Sequence, residues 1–270
     1  MVDSAIQNPY DSLARIYREL IRVTGRLQAE INLANRLFQR LGIDKNSRIL
    51  DFACGTGDVL AGLSELGYLN LFGTDGSLGM LARANKLQNI KYTHVVWNDF
   101  RSYFADHAPF DCAFALSISL PHVMETDLSR VLTFLRLGLK EGGILIFDFR
   151  DWLFSHEGRL READRPENVQ RWLSEVMVDG SVYLVDDLCT YDETRQYVTY
   201  RISKQNKNGL GWDRQSSSTV SYALIEKTQF VKVVCEAGFG DVEINLPDGW
   251  PYLVLTARAI HPLKHTKRML

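Results

Sequence analysis

Several groups of residues in this chain have types and spacings that could do chemistry. The most informative is Arg48 to Leu60, RILDFACGTGDVL, where an apolar run ends on Asp51 and passes through Ala53, Cys54, Gly55, Thr56 and Gly57 into a helix-forming sequence. In an α/β sheet such a turn offers backbone N–H groups and a helix N-terminus to a ligand beyond the strand ends. Gly55 and Gly57 let the backbone bend sharply and come close to that ligand, where a Cβ would collide. The dinucleotide fingerprint G-x-G-x-x-G does not fit, because Ala53 precedes the turn and Leu60 fills the place of the last glycine. Taken alone, the turn also suits a bare strand-to-helix loop.

The next group is Asp75-Gly76, closing the stretch LFGTDG. A carboxylate at that strand end can accept both ribose hydroxyls of an adenosine, although aspartate before glycine is equally a turn former. Asn98-Asp99-Phe100 follows the third strand, where an amide or carboxylate could bond an adenine amine and Phe100 could pack on the ring. The bland alternative is a polar turn. Leu116 to His122, LSISLPH, leaves the fourth strand; His122 is either a base or a histidine bonded to backbone. Arg150 ends the run FDFR, where its planar guanidinium could grip a carboxylate in two places or pair with Asp148 or Asp151.

These residues need elements to position them. A helical stretch from about Leu13 to Leu41 carries apolar residues at three-to-four spacing, interrupted by Gly25 and stopped by Gly42. Strands are expected at Ile49–Phe52, Asn70–Gly73, Tyr92–Trp97, Phe110–Ser119 and Ile144–Phe149, with helices over Val59–Leu66, Met80–Lys86 and Leu128–Leu139. The last two strands are near-continuous apolar runs, as strands buried on both faces require. This alternation predicts an α/β fold: a Rossmann-like parallel sheet with helices on both faces. After Arg150 the rhythm changes. Trp152 to Trp172 reads as loop with a short helix, and Ser181 to Ser203 alternates apolar and polar residues in two runs. A turn at Asn206–Gly209, a third strand over Thr219–Leu224 and a helix over Lys227–Ala237 follow. The implied organisation is a helical cap over 1–45, a Rossmann-like core over 46–150, an inserted small antiparallel β lid over 151–222, and 223–270 completing the core.

Composition narrows the partners. The chain has 270 residues, 46% hydrophobic and 24% charged, with a net charge of −2, so no electrostatic case exists for a nucleic-acid partner. The short basic cluster Lys264 to Arg268 reads as a solvated tail. No apolar run approaches the ~20 residues of a membrane span, and the N-terminus lacks the regions of a signal peptide. Cys54, Cys112, Cys189 and Cys235 are far apart and read as buried thiols in a reducing, cytoplasmic setting. Cys54 could be reactive, but a small filler in the turn serves as well. No His/Asp cluster calls for a metal.

The form D-x-A-C-G-T-G resembles the first motif of S-adenosylmethionine-dependent methyltransferases of the Rossmann-like class. Across nearly its whole length the chain resembles glycine N-methyltransferase and related small amino-acid N-methyltransferases, in DFACGTGDV, TDGSLGML, LKEGGILIFDFRDW and the lid tyrosines. The resemblance implies S-adenosylmethionine as cofactor, leaving S-adenosylhomocysteine as product. It implies that Arg26 binds the cofactor's methionine carboxylate, with Tyr17, Asp51, Ala53, Gly55, Gly57, Asp75, Gly76, Met80, Asn98, Asp99, Phe100 and Leu116 completing the cofactor site. Arg150 would bind the substrate carboxylate beside Ile118 and His122, and the hydroxyls of Tyr183, Tyr200 and Tyr222 would surround the amine and sulfonium. Ile118 stands where the glycine enzyme has asparagine, which makes the pocket more apolar and favours a larger acceptor. The implied reaction is in-line methyl transfer to the amine of a small carboxylate-bearing molecule such as glycine or sarcosine. An amino sugar or hydroxyl acceptor, or cofactor binding without catalysis, are the alternatives. A homo-oligomer fits the resemblance as well as a monomer.

Overall fold

The computed structural model describes residues 8–85, 87–123, 125–150, 170–192 and 194–260. The expectations for residues 152–169 and for the basic tail lie outside them, as does Lys86.

Two helices open the described chain, α1 (Tyr17–Val23) and α2 (Arg26–Leu41). Gly25 separates them and Gly42 closes α2, both at positive φ (71° and 74°) where a side chain would be strained. There follow β1 (Arg48–Asp51), α3 (Asp58–Glu65), β2 (Asn70–Asp75), α4 (Leu78–Leu81), β3 (Ile90–His94), α5 (Phe100–His107), β4 (Phe110–Ala115), α6 (Glu125–Gly138) and β5 (Leu139–Phe149). Strands β6 (Gln170–Val178), β7 (Ser181–Tyr191), β8 (Arg195–Gln205) and β9 (Trp212–Ala223) come next. Helix α7 (Lys227–Glu236), β10 (Phe239–Asn245) and β11 (Leu253–Ala259) finish the fold.

The strands form a seven-stranded sheet in the order β10-β11-β5-β4-β1-β2-β3 and a separate four-stranded antiparallel sheet, β6-β7-β8-β9. Strands β1 to β5 run parallel, and β11 joins β5 antiparallel. The order reverses beside β1, whose other neighbour is β4, and this is where ligands sit in open α/β sheets. One face packs α5, α6 and α7 through Phe104, Leu128, Leu132, Leu135 and Phe230. The other packs α2 and α3 through Leu33, Leu37, Phe38, Leu60 and Leu63. The α/β fold with an antiparallel lid is therefore the one the alternating pattern predicts.

Several boundaries differ. Residues 100–107 form α5, which the pattern missed; its buried face is Phe100, Tyr103 and Phe104, at the three-to-four spacing of a helix. Helix α4 is a single turn opened by the Ser77 hydroxyl, which accepts from Met80 N at 3.1 Å, and it does not extend to Lys86. Strand β3 begins at Ile90, so Val95, Val96 and Trp97 have left the sheet. The lid has four strands, with β6 beginning inside the stretch read as loop and β9 beginning at Trp212. Cys54, Cys112 and Cys189 are buried, but Cys235 is exposed.

The lid buries one face: Tyr183, Val185, Val198, Ile202, Val220 and Tyr222. Its end nearer the N-terminus packs on Leu13, Ala14 and Ile16, and the other end on Ile118 and Tyr252. The lid and the N-terminal segment thus close together over the carboxyl ends of β1, β2 and β4.

Candidate functional site

A cleft of about 340 Å³ opens beyond those strand ends, within the size range of small-ligand sites. Its floor is the glycine turn. Gly55 and Gly57 sit at φ 55° and 68°, and a Cβ on Gly57 would fall 2.2 Å from the Tyr92 hydroxyl oxygen. The turn is tied to β2 at two points: Cys54 N donates to Thr74 O at 2.9 Å, and Gly55 N donates to Asp75 Oδ2 at 2.8 Å. Asp75 Oδ1 accepts from Ser77 N at 2.8 Å, which fixes the plane of the carboxylate on the cleft wall. Burial raises the Asp75 carboxyl while these two N–H groups lower it. Asp51, also on the wall, accepts from Ala53 N at 3.1 Å and is pushed up by burial.

Helices α1 and α2 close one side. Arg26 Nη2 donates to Tyr17 Oη at 2.8 Å, and its Nε lies 3.1 Å from Glu30 Oε1. The Ser117 hydroxyl also donates to Glu30 Oε1. Burial pushes the Tyr17 hydroxyl up to about 12. Glu30 is a site residue beyond those expected from the sequence. Its signal was available, since a glutamate one helical turn after Arg26 shares that arginine's face.

The loop after β4 is strained. Ser117 and Ile118 both have positive φ, 63° and 61°, a conformation that costs of order 1–3 kcal/mol per residue when no glycine is present. Asp148 holds it: its carboxylate accepts from Ser117 N at 3.0 Å, Ile118 N at 2.6 Å and Trp250 Nε1 at 3.0 Å. Burial pushes Asp148 up to about 7 against these donors. In sequence Asp148 suggests a partner for Arg150; in the fold it braces the site's loop.

Next to this loop lies a row of hydroxyls. His122 Nδ1 is 2.8 Å from Ser221 O, a carbonyl that can only accept, so Nδ1 carries the proton. Nε2 then accepts from Tyr10 Oη at 2.8 Å. Tyr10 has given its one proton away, so at 3.3 Å the Tyr222 hydroxyl donates to it. Tyr222 is also hydrogen-bonded to Tyr200. Burial lowers His122 to about 4 and raises Tyr10, Tyr200 and Tyr222, so all four are neutral near pH 7. Arg150 Nη1 donates to Gln196 Oε1 at 2.9 Å, and Gln196 Nε2 donates to Tyr191 Oη at 2.7 Å. The Arg150 guanidinium lies 5.6 Å from the centre of the Tyr252 ring and partly opposes the burial that raises the Tyr222 hydroxyl.

The sequence-predicted residues therefore divide. Tyr17, Asp51, Ala53, Gly55, Asp75, Gly76, Met80, Leu116 and His122 line the cleft. Arg26 reaches it through Tyr17 and Glu30; Gly57 underlies it as the cap of α3. Tyr200, Tyr222, Ile118 and Arg150 gather under the lid with Tyr10 and Tyr252. Other residues do not join. Phe100 is fully buried between Phe52, Trp97 and Phe104, because its helix turns it into the core. Asn98 is exposed and accepts from Arg130 at 2.6 Å, and Asp99 is exposed. Val95, Val96 and Trp97 line the cleft in their place. Tyr183 packs with Ile16, Met80 and Val176 in a cluster that Tyr200 also borders, and has Arg15 over its ring at 5.5 Å. Tyr10 and Trp97 carried no spacing signal, since each reaches the site only through the fold.

Among the described residues, no group of three or more His, Cys, Asp or Glu side chains could hold a metal, and no helix is long and apolar enough to cross a membrane.

Comparison with known proteins bears on what the cleft holds. The family of methyltransferase domains matches residues 49–143. A protein of Geobacillus sp. (strain WCH70) named as a methyltransferase is 31% identical over 217 residues, covering 70% of this chain and 87% of its own. Among solved structures, the sugar N-methyltransferase KedS8 from Streptoalloteichus sp. ATCC 53650 aligns with a TM-score of 0.71 at 18% identity, over 96% of this chain and 99% of its own. The S-adenosylmethionine-bound amino pentose methyltransferase CalS10 from Micromonospora echinaspora, involved in calicheamicin biosynthesis, aligns with a TM-score of 0.69 at 15% identity, over 90% and 96%. At such identities the structural likeness speaks for the fold. The cleft suits a nucleoside with a charged tail: a turn only glycine can make, a carboxylate at the next strand end, and a half-buried ion pair beside the cleft.

Proposed function

This chain belongs to the Rossmann-like S-adenosylmethionine-dependent methyltransferases, and from that premise we propose that it methylates the amine nitrogen of a small acceptor carrying a negative charge, such as an amino acid. The observation that carries this reading is Arg150. Its guanidinium is anchored by the buried amide of Gln196 and packed near Tyr252, in the same group of side chains as Tyr222 and Ile118. An arginine held in that way offers planar, two-point recognition to an anion.

The cofactor supplies an electrophilic methyl on a sulfonium. Asp75, the glycine turn and Trp97 would hold its nucleoside, and Arg26 its carboxylate. The chain's remaining task is to orient the acceptor and exclude water. The acceptor nitrogen must be neutral to attack. With His122 held near 4 and the tyrosines held high, no group in the hydroxyl row has the near-neutral pKa of a strong general base. Their contribution is directional: the Tyr200 and Tyr222 oxygens accept the amine N–H bonds and leave the lone pair aimed at the methyl. Positioning of this kind can supply several kcal/mol without a dedicated base.

A second reading is favoured by the full-length likeness to two sugar methyltransferases, lid included. An amino sugar would use the same hydroxyl row and place no demand on Arg150 for a carboxylate. The two readings part on Arg150→Ala, assayed by S-adenosylhomocysteine formation against amino acids, N-methylated amino acids and amino sugars. An anionic acceptor predicts a rise in acceptor KM of about 100-fold, from loss of a charged hydrogen-bonded contact. Unchanged KM for the best acceptor would remove the carboxylate from the proposal and leave the amino sugar.

A further inference from the structure

Glu30 is a charged residue of the cleft that the proposed chemistry has not used. It lies on α2, is 6% exposed and lines the cleft. Both of its contacts, the Arg26 guanidinium and the Ser117 hydroxyl, fall on Oε1. Neither contact occupies Oε2, and Oε2 is not among the buried atoms without a partner, so it stays accessible from the cleft that Glu30 lines. An ammonium group is the donor that would also meet its charge.

The pair has a further property. Arg26 and Glu30 neutralise each other, so the pair adds no net charge, yet a cation lies directly beside the anion that lines the cleft. Such a pair complements a zwitterion. The tail of the cofactor is an α-amino acid, with one carboxylate and one ammonium on the same carbon. In the proposed reading the nucleoside is held elsewhere in the same cleft, by Asp75 and the glycine turn.

We infer that Glu30 Oε2 receives the α-ammonium of the cofactor's methionine portion while Arg26 takes its carboxylate, so that the ion pair reads the zwitterion as a unit. The inference rests on the assignment of this cleft to S-adenosylmethionine. Ser117 has a part in it. Its hydroxyl holds Oε1, and its backbone is pinned by Asp148, so the strained loop after β4 fixes the direction in which Oε2 points.

The test is calorimetric titration with four thioethers that share the nucleoside. S-adenosylhomocysteine has both charges, 5′-(3-carboxypropylthio)-5′-deoxyadenosine only the carboxylate, 5′-(3-aminopropylthio)-5′-deoxyadenosine only the amine, and 5′-methylthioadenosine neither. Glu30→Gln keeps the shape and removes the charge. It should weaken S-adenosylhomocysteine and the amine-only ligand by 10- to 100-fold and leave the carboxylate-only ligand and 5′-methylthioadenosine within threefold. Equal weakening of the carboxylate-only ligand would mean that Glu30 only orients Arg26, and would overturn the inference. So would unchanged binding of all four ligands. Glu30→Asp, which retains charge but shortens the reach, should fall between wild type and Gln for the two amine ligands, and its melting curve guards against a folding defect. Failure of the wild-type protein to bind any of the four would strike at the cleft assignment itself, a different outcome from either of these.

Discussion

The two halves of the proposed site, one for the nucleoside and one for the acceptor, are built in different ways. The nucleoside half is assembled by neighbours: the turn after β1 bonds the end of β2, with Gly55 and Asp75 20 positions apart. The acceptor half is assembled across the molecule. Tyr10 and His122 are 112 residues apart, Tyr10 and Tyr222 212 apart, and Trp250 and Asp148 102 apart. A parallel sheet brings consecutive strand ends together as a matter of topology, so local spacing suffices to specify the first half. The second half exists only once the N-terminal segment, the loop after β4 and the lid have docked. The difference should show in mutation: the first half fails as a binding unit, the second as a set of oriented groups.

The largest effect is expected at Asp75. Replacing it with alanine removes the proposed ribose contact and both backbone bonds that tie the turn and Ser77. Affinity for S-adenosylhomocysteine by calorimetry should fall more than 100-fold, about 3 kcal/mol. If the halves are separable, the hydroxyl row should stay formed, visible as unchanged near-ultraviolet circular dichroism from the buried tyrosines.

Gly57→Ala comes next, and acts on stability. The residue is at φ 68° and its new Cβ would lie 2.2 Å from the Tyr92 oxygen and 2.6 Å from Tyr92 Cζ, so the ring must shift and the backbone strain remains. A loss of about 2–4 kcal/mol in urea unfolding is expected, of which Tyr92→Ala in the same chain should restore part by relieving the clash. A neutral Gly57→Ala would mean that the turn is slack, and the contrast between a rigid nucleoside half and a docked acceptor half would lose its basis.

What could be read from the sequence follows the same division. The glycine turn, Asp75, the buried β4 and β5 and the break at Gly25 each carry their meaning in a few adjacent residues. Phe100 shows where this fails: an aromatic after a polar pair looks like a ring platform, but Phe100, Tyr103 and Phe104 form the buried face of a helix whose period the reading missed. Trp97 then takes the place at the cleft because β3 ends at His94. Glu30 and Asp148 were unread for another reason. A carboxylate's role depends on which donors the fold brings to it. Glu30 has one local partner, Arg26 a helical turn before it, but its second donor is Ser117. Asp148 takes all three of its donors from Ser117, Ile118 and Trp250, far off in the chain.

In the acceptor half the expected effects are smaller. Tyr10→Phe removes the hydroxyl between His122 and Tyr222 while keeping the ring. The kcat should fall about tenfold, and the affinity for S-adenosylhomocysteine should not change, because orientation and not binding is lost. A loss of cofactor affinity comparable to that of Asp75→Ala would show that the two halves are one unit.

The smallest expected effect is an absence of pH dependence. His122 is lowered to about 4 by burial, against an unfolded value near 6.5. Between those values the unfolded chain takes up the proton and the folded one does not. The residue therefore favours the folded state fully above pH 6.5, and this contribution is lost as pH falls toward 4. Within the folded enzyme it stays neutral, with Nε2 free to accept from Tyr10, at every pH above about 5. The ratio of kcat/KM between wild type and His122→Asn should accordingly be flat from pH 6 to 8. A step in that ratio near 6.5 would make His122 a titrating base, and the hydroxyl row would become a proton path in place of a set of fixed acceptors.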